Sequence, residues 1–219
     1  MEIPVVRKIL ESNENTAEQL QAIFAEKGIL VLNLMSSPGA GKTSLLVRTL
    51  SDLKDELSMA VIEGDLQTSN DAERIAATGA RTLQINTEGA CHLDSAMVLE
   101  SLKYLDLEDL DILFIENVGN LVCPAAFKVG EDWKITLLSL PEGDDKPEKY
   151  PTMFAESRVL LLNKIDLLPH LEFDRERARK GALTINRALT IFEVSAATGQ
   201  GLKAWYDWLR QEVLNKKSR

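Results

Sequence analysis

The chain has 219 residues, of which 45% are hydrophobic and 27% are charged. Lysine and arginine number 25 against 34 aspartates and glutamates, and the net charge of −9 argues against a general nucleic-acid or anionic-membrane surface. No apolar run is long enough to span a membrane, and the N-terminus lacks the basic and apolar parts of a signal peptide, so we expect a cytoplasmic protein. In that compartment the two cysteines are expected to be thiols or metal ligands rather than a disulfide.

Strand-like and helix-like patterns alternate along the chain. Apolar runs predict strands at residues 29–35, 59–63, 82–86, 111–116, 134–140, 158–163 and 191–194. Helical spacing predicts a helix from Asn15 as N-cap to Gly28, a second from the glycine-rich loop to about residue 55, and a third from the polar segment 66–71 to about residue 78. Further helices are predicted over residues 93–105, 172–188 and 203–215. Residues 141–151, charged and proline-bearing, are predicted to be a surface loop.

This alternation predicts an α/β fold with a mostly parallel sheet of about seven strands and helices on both faces. The length suits one such domain, which we place at residues 29–219, with residues 1–28 as a helical extension packed on it. Ligands of such sheets bind beyond the carboxyl ends of the strands, and the motifs below all fall there.

A glycine-rich segment follows the first predicted strand. Residues 36–43 read Ser-Ser-Pro-Gly-Ala-Gly-Lys-Thr and precede a helical pattern, which is the context of a phosphate-binding loop in a P-loop NTPase. Lys42 would reach the β and γ phosphates, and the Thr43 hydroxyl would bind Mg²⁺. Ser36 stands where the pattern has its first glycine, so a simple Pro-Gly turn is the alternative. The predicted nucleotide-binding residues here are Gly39, Ala40, Gly41, Lys42, Thr43 and Ser44.

Two acidic residues that close strands are candidates for a second Mg²⁺ contact or for positioning the attacking water. Glu116 ends the most apolar strand, and Asp65 ends another. Gly119 follows Glu116 closely, and its bare backbone would approach the γ-phosphate. With Lys42 these two carboxylates form the predicted catalytic set, although an isolated acid at such a place often only caps a strand or starts a turn.

The segment Asn163-Lys164-Ile165-Asp166 predicts the base. The Asp166 carboxylate would accept hydrogen bonds from N1–H and the exocyclic amine of guanine, whereas adenine presents an acceptor at N1. Lys164 would lie along the ring, and Asn163 would tie this segment to the phosphate-binding loop. Ser195 and Ala196 follow the last strand, in a small-residue loop like the one that closes over guanine in GTPases. The predicted ligand is therefore GTP or GDP rather than ATP.

Cys91, His92 and Cys123 form a second candidate site. Thiolate and imidazole ligands suit zinc or nickel, and three donors leave a position for water, a substrate group or a second subunit. The alternative is that the cysteines are small packed side chains and the histidine is an ordinary one. Their placement after strands, with Cys123 seven residues beyond Glu116, favours a metal whose binding is linked to hydrolysis.

Taken together, the motifs resemble the HypB family, the nickel-inserting hydrogenase maturation GTPases, within the SIMIBI class of metallochaperone and signal-recognition GTPases. The matching segments are residues 33–43, 63–65, 89–93, 115–125, 142–147, 163–167 and 195–196. The cysteine-bearing segments and the Glu-Gly-Asp-Asp-Lys-Pro of residues 142–147 separate this family from its relatives. In this family a serine at position 36 is usual.

The resemblance implies a homodimer whose interface holds Ni²⁺ or Zn²⁺ through Cys91, His92 and Cys123, with the nucleotide controlling metal release. It implies Mg²⁺ at the nucleotide and, as partners, a nickel-donating or nickel-accepting accessory protein and the hydrogenase large subunit. Lys146 and Lys149 lie where relatives place lysines near the partner subunit's nucleotide. Some members carry an N-terminal cysteine-rich motif or a histidine-rich store; this sequence has neither, so nickel buffering is not expected.

Two other functions are alternatives. A related accessory GTPase for urease or for a cobalamin-dependent mutase would share the sheet, but the urease proteins carry a Cys-Pro-His ligand motif, whereas Cys91 adjoins His92 directly. A small-molecule kinase would have no need of Asn163, Lys164 and Asp166. No arginine finger or water-orienting glutamine is assigned, so hydrolysis is expected to be slow.

Overall fold

The structure is a computed structural model that describes residues 4–65 and 70–218. Its strands lie within one residue or two of the predicted runs, because apolar stretches flanked by polar turns are a strong strand signal. The strands are β1 (Leu30–Met35), β2 (Met59–Asp65), β3 (Arg81–Asn86), β4 (Ile112–Glu116), β5 (Trp133–Ser139), β6 (Val159–Asn163) and β7 (Thr190–Glu193).

The strands of the described residues form one seven-stranded sheet in the order β3-β2-β4-β1-β5-β6-β7, and every neighbouring pair is parallel. β1 lies at the centre, between β4 and β5. Because all the strands run the same way, the segments after β1, β2, β3, β4 and β6 leave the sheet at the same edge. The predicted α/β fold is confirmed.

Helices cover both faces of the sheet. Their bounds are α1 (Pro4–Glu26), α2 (Lys42–Leu53), α3 (Asn70–Ala76), α4 (Ser95–Ser101), α5 (Cys123–Ala126), α6 (Lys146–Lys149), α7 (Pro151–Ala155), α8 (Arg175–Ile185) and α9 (Leu202–Lys217). Short 3₁₀ turns lie at Leu102–Tyr104, Leu140–Glu142 and Ile165–His170. None of the described helices is both long enough and apolar enough to cross a bilayer.

The two faces of β1 pack into different parts of the core. Leu32 and Leu34 pack with residues of α2 and α9, including the buried Trp205. Val31, on the opposite face, packs with residues of α1 and α4, including Phe24. Alternate side chains of a strand point to opposite faces, so a strand buried on both sides reads as a continuous apolar run.

The predicted start of the first helix at Asn15 is wrong. α1 runs without interruption through residues 12–15, and tertiary contacts use its polar side chains. Asn13 donates to the Lys128 carbonyl and accepts from the Ser95 amide, and Glu14 pairs with Lys128. Gly28, with φ 66°, ends the helical segment as predicted. The division into an extension (residues 1–28) and a domain (residues 29–219) stays a prediction.

The predicted loop at residues 141–151 is also wrong in part. This segment contains the 3₁₀ turn Leu140–Glu142, then α6, and then the start of α7. Pro147 and Pro151 lie in the first turns of α6 and α7, where a missing N–H costs no helical hydrogen bond. Ser139 and Glu142 form a capping box over the 3₁₀ turn.

Candidate nucleotide and metal site

The glycine-rich segment, residues 36–41, links β1 to α2. Gly39 and Gly41 have φ values of 76° and 99°, in the left-handed region that glycine adopts without strain. A Cβ at Gly41 would lie 2.7 Å from the side-chain nitrogen of Asn163. Because Gly41 has no side chain to cap α2, the N–H groups of the first turn face the loop and can donate to phosphate oxygens.

Lys42 lies at the start of α2 and is almost fully buried. Its Nζ donates to the Ser36 Oγ at 3.0 Å, so the serine in the usual glycine position holds the ammonium in the cleft. Burial lowers the pKa of Lys42, while the nearby carboxylates of Glu116 and Glu142 favour its charged form. A bound phosphate would add negative charge beside this ammonium and stabilise it further.

Thr43 contacts two carboxylates. Its Oγ1 lies 2.8 Å from Glu116 Oε1 and 3.0 Å from Asp71 Oδ2. In the described part of the chain the buried Glu116 Oε2 has no hydrogen-bond partner. Hydroxyl and carboxylate oxygens are the ligands Mg²⁺ prefers, so this donor set fits the predicted ion.

Asp71 is a functional candidate that sequence reasoning missed. It lies in the first turn of α3, pairs with Arg74 at 2.8 Å, and reaches Thr43 across the cleft. Arg74 in turn donates to the Ser44 hydroxyl. The available signal was an acidic first turn in the helix after β2. The side chain of Asp65, the other predicted magnesium ligand, lies outside the described residues, and its role stays a prediction.

The pKa of Glu116 makes a testable difference to stability. Burial raises this pKa from 4.5 to about 7 in the free protein, against the opposing effect of Lys42. A carboxyl with a raised pKa contributes stability that is complete below its unfolded pKa and lost as the pH rises through its folded pKa. In EDTA without nucleotide, we expect wild type to lose about 3 kcal/mol of unfolding free energy, relative to Glu116→Gln, between about pH 5 and about pH 8.

Urea unfolding of both proteins at these two pH values measures this loss. The exposed Glu100, changed to Gln, is the matched control, since a surface acid should leave the difference from wild type nearly constant. The expectation would be contradicted if the difference in unfolding free energy between wild type and Glu116→Gln were the same at both pH values.

The predicted base-binding residues meet the phosphate-binding loop. The side-chain nitrogen of Asn163 donates to the Ala40 carbonyl at 2.9 Å, and its side-chain oxygen accepts from the Ala196 amide at 3.2 Å. Lys164, at a φ of 64°, donates to the Gly39 carbonyl at 2.6 Å. The structure therefore joins the loop after β6, the loop after β7 and the glycine-rich loop.

Asp166 lies in the 3₁₀ turn after β6 and accepts a hydrogen bond from the Ser195 hydroxyl. Ser195 Oγ also accepts from the Thr198 amide at 3.1 Å, which fixes the loop after β7. One Asp166 oxygen is thus held in place, as a carboxylate that reads a base edge requires.

A cleft of about 400 Å³ opens over the glycine-rich loop. The predicted residues that line it are Gly39, Gly41, Lys42, Thr43, Ser44, Glu116, Gly119 and Lys164. A Cβ at Gly119 would lie 2.9 Å from the Pro38 backbone, so the segment after β4 approaches the loop as closely as a glycine allows. A nucleotide in this cleft would lie directly beside that segment.

The three predicted metal ligands also come together. One ligand atom from each of Cys91, His92 and Cys123 lies within 4.8 Å of the others, and the Cys91 sulfur is 3.6 Å from His92 Nδ1. Cys91 is exposed, whereas the His92 ring lies against Phe127, with ring centroids 3.9 Å apart and ring planes tilted by 33°. Burial lowers the pKa of His92, which favours the neutral imidazole that binds metals. The set suits zinc or nickel and leaves room for further ligands.

Contacts of Asn117 and Asn120 join the three candidate metal ligands Cys91, His92 and Cys123 (the metal cluster) to the nucleotide cleft. Asn117 follows Glu116 directly, and its side-chain oxygen accepts from the Leu93 amide at 2.9 Å, next to His92. Asn120 donates to the Cys91 carbonyl at 3.3 Å. Residues 116–123 thus run from the Thr43 contact to Cys123. Two of their side chains also hydrogen-bond the turn that carries Cys91 and His92.

The two lysines of residues 142–149 are occupied within their own segment. Lys149 pairs with Asp145 at 2.5 Å, and Lys146 lies 5.5 Å from the centroid of the Tyr150 ring. Glu142 accepts a hydrogen bond from the Ser37 hydroxyl, so this segment also contacts the phosphate-binding loop. A role for the lysines at a partner's nucleotide stays a prediction.

A glycine-rich loop between a central parallel strand and a helix that begins with lysine defines the P-loop nucleotide-binding class. Within that class, residues 30–193 match the family model described as CobW/HypB/UreG, nucleotide-binding domain. The chain is 52% identical over 217 residues to the hydrogenase maturation factor HypB of Rhizobium leguminosarum bv. viciae, covering 99% of this chain and 73% of that protein. It is also 52% identical to HypB of Escherichia coli K12, covering 93% of this chain and 70% of that protein.

A solved structure is similar over nearly the same length. The crystal structure of HypB from Helicobacter pylori in complex with nickel is 37% identical, with a TM-score of 0.89, and the match covers 94% of this chain and 97% of that chain. The chain therefore belongs to the HypB proteins of the CobW/HypB/UreG family. The family resemblance predicted from the motifs is confirmed.

Proposed function

We propose that this protein is a GTP-hydrolysing metallochaperone that delivers nickel during hydrogenase maturation. The observation that carries the proposal is the continuous segment from Glu116, in the nucleotide cleft, to Cys123, in the metal cluster. Two similar proteins are hydrogenase maturation factors and a third was crystallised in complex with nickel, which supports the same function.

The cleft supplies what slow GTP hydrolysis needs. The Lys42 ammonium and the first-turn N–H groups of α2 would stabilise charge on the transferred phosphoryl group. Thr43, Glu116 and Asp71 would hold Mg²⁺, with Asp65 as a further candidate, and the ion when bound would neutralise charge on the phosphate oxygens. The buried Glu116 Oε2, which has no hydrogen-bond partner among the described residues, is an acceptor that would orient a water for in-line attack.

The guanine edge would face Asp166, whose carboxylate is steadied by Ser195. Asn163 would not touch the base; it holds the Ala40 and Ala196 backbones so that the phosphate and base subsites keep a fixed spacing. Lys164 would cover the ring with its aliphatic chain. GTP and GDP are thus the proposed nucleotides.

The metal cluster lies open to solvent on its Cys91 side, which suits a site completed by a second subunit. In a two-fold dimer, two copies of Cys91, His92 and Cys123 would face each other and bind Ni²⁺ or Zn²⁺ as cargo. Hydrolysis would then shift the population between metal-holding and metal-releasing states. The proposed partners are an accessory protein that exchanges nickel and the hydrogenase large subunit.

Single-turnover phosphate release tests the enzymatic part. At saturating GTP we expect a rate on the order of 10⁻⁴ to 10⁻² s⁻¹, because no arginine finger or water-orienting glutamine is identified among the described residues. Lys42→Met should lower the rate by about 10²-fold or more, the usual effect of removing one charge-stabilising donor. Lys103→Met, at an exposed lysine that pairs with Glu100, is the matched control. Equal rates in the two variants would contradict the proposed role of Lys42.

A further inference from the structure

The helix that presents Cys123 is too short to be stable alone. α5 has four residues, Cys123–Ala126, and a single helical turn has little stability in water without tertiary contacts. Pro124 suits its first turn, but the last carbonyls of any helix lack partners within it. The burial of Pro124 and Ala125 and the partners of these carbonyls therefore determine together where Cys123 lies.

Lys134 on β5 holds one of them. Its Nζ donates to the Ala125 carbonyl at 2.5 Å, and the side chain is 7% exposed. The nearest carboxylate, Glu131, is 5% exposed and lies farther away, with its oxygen 3.8 Å from the same Nζ. The close contact of this buried ammonium is thus with the carbonyl of α5 and not with its counter-ion.

Glu131 has its own partner. Its Oε2 accepts from the Val129 amide at 2.6 Å, and the pKa of its carboxyl is raised by burial and lowered by Lys134. A buried ion pair adds little net stability compared with apolar residues of the same volume. The buried Lys134–Glu131 pair is therefore better explained by the hydrogen bond from Lys134 to the Ala125 carbonyl than by the attraction between the two charges.

We infer that Lys134 is a positioning residue for the metal site: by holding the Ala125 carbonyl, it fixes the helix that carries Cys123 within reach of Cys91 and His92. It does not touch the metal. The inference rests on the proposed metal-binding function and adds the residue that sets the position of one of its ligands. Loss of an outer partner of a metal ligand usually lowers metal affinity by about 10- to 100-fold.

Two substitutions separate positioning from simple stability. Lys134→Met removes the contact with Ala125, whereas Glu131→Gln breaks the same ion pair but leaves Lys134 in place. We measure Ni²⁺ affinity by competition with a chromophoric chelator, the sulfur-to-nickel charge-transfer absorption, GDP affinity and thermal unfolding of the full chain. Lys128→Met, at an exposed lysine that pairs with Glu14, is the matched control.

We expect Lys134→Met to bind Ni²⁺ at least about 10-fold more weakly, with an altered charge-transfer band and unchanged GDP affinity. Glu131→Gln and Lys128→Met should bind Ni²⁺ within about twofold of wild type. If Lys134→Met does not fold, the double variant Lys134→Met/Glu131→Gln removes both charges together and should show the same loss. Equal Ni²⁺ affinity in wild type and in the folded Lys134 variant would overturn the inference.

Cys123→Ala distinguishes this failure from a failure of the proposed function. If wild type and Cys123→Ala bind Ni²⁺ equally, the metal site itself is wrong. If Cys123→Ala loses affinity while the Lys134 variant keeps it, only the positioning role is wrong.

Discussion

Asp166→Asn should weaken GDP and GTP binding by about 10⁴-fold, the discrimination available to a site built around base hydrogen bonds. The oxygen of the new amide could still accept from N1–H, but its NH2 group would face the exocyclic amine of guanine, donor against donor, and leave that amine unpaired. Xanthine carries a carbonyl where guanine carries the amine, so the same variant should gain affinity for xanthosine diphosphate. Fluorescence titration with labelled guanine and xanthine nucleotides measures both changes.

The gain in xanthosine binding shows that a loss of guanine binding is a change of recognition and not unfolding. Asp207→Asn, at an exposed residue of α9 paired with Lys203, is the matched control and should leave both affinities unchanged. A variant at Asp166 that binds GDP as well as wild type, or a wild type that binds ATP as tightly as GTP, would remove the basis for a guanine site.

Cys123→Ala and His92→Ala should each lower Ni²⁺ affinity by more than about 100-fold. Each change deletes a direct ligand, and even an outer partner of a ligand contributes about 10- to 100-fold. His170→Ala is the control, because His170 is exposed and lies after β6, four residues beyond Asp166, rather than beside Cys91 and Cys123. Competition with a chromophoric chelator gives all three affinities, and equal values for His92→Ala and His170→Ala would contradict the assignment of His92.

Most of the fold and much of the candidate site were predictable because their signals are local. Glu116 closes an apolar run, and Asp166 lies three residues after the end of another, so their place at one edge of a parallel sheet follows from strand direction. Cys91 and His92 follow β3 and Cys123 follows β4, the two strands on either side of β2. Their convergence within 4.8 Å needed only that β3, β2 and β4 lie side by side.

The parts that sequence missed depend on contacts between distant segments. Asp71 lies in a polar stretch with no apolar pattern, and only the packing of α3 against α2 brings it to Thr43. The continuation of α1 through residues 12–15 depends on partners such as Lys128 and Ser95, more than eighty residues away. The short helices after β5 carried a local signal in Pro147 and Pro151, since proline is favoured at the start of a helix.

Nucleotide control of metal binding is tested most directly by the Ni²⁺ affinity of the wild-type protein, measured with GDP and with a non-hydrolysable GTP analogue. Segment 116–123 joins the two sites, so we expect the affinities to differ by at least about fivefold, the lower range of allosteric coupling. By linkage, Ni²⁺ should change the affinity for the GTP analogue relative to GDP by the same factor. Equal Ni²⁺ affinity in the two nucleotide states would contradict a nucleotide-controlled metallochaperone.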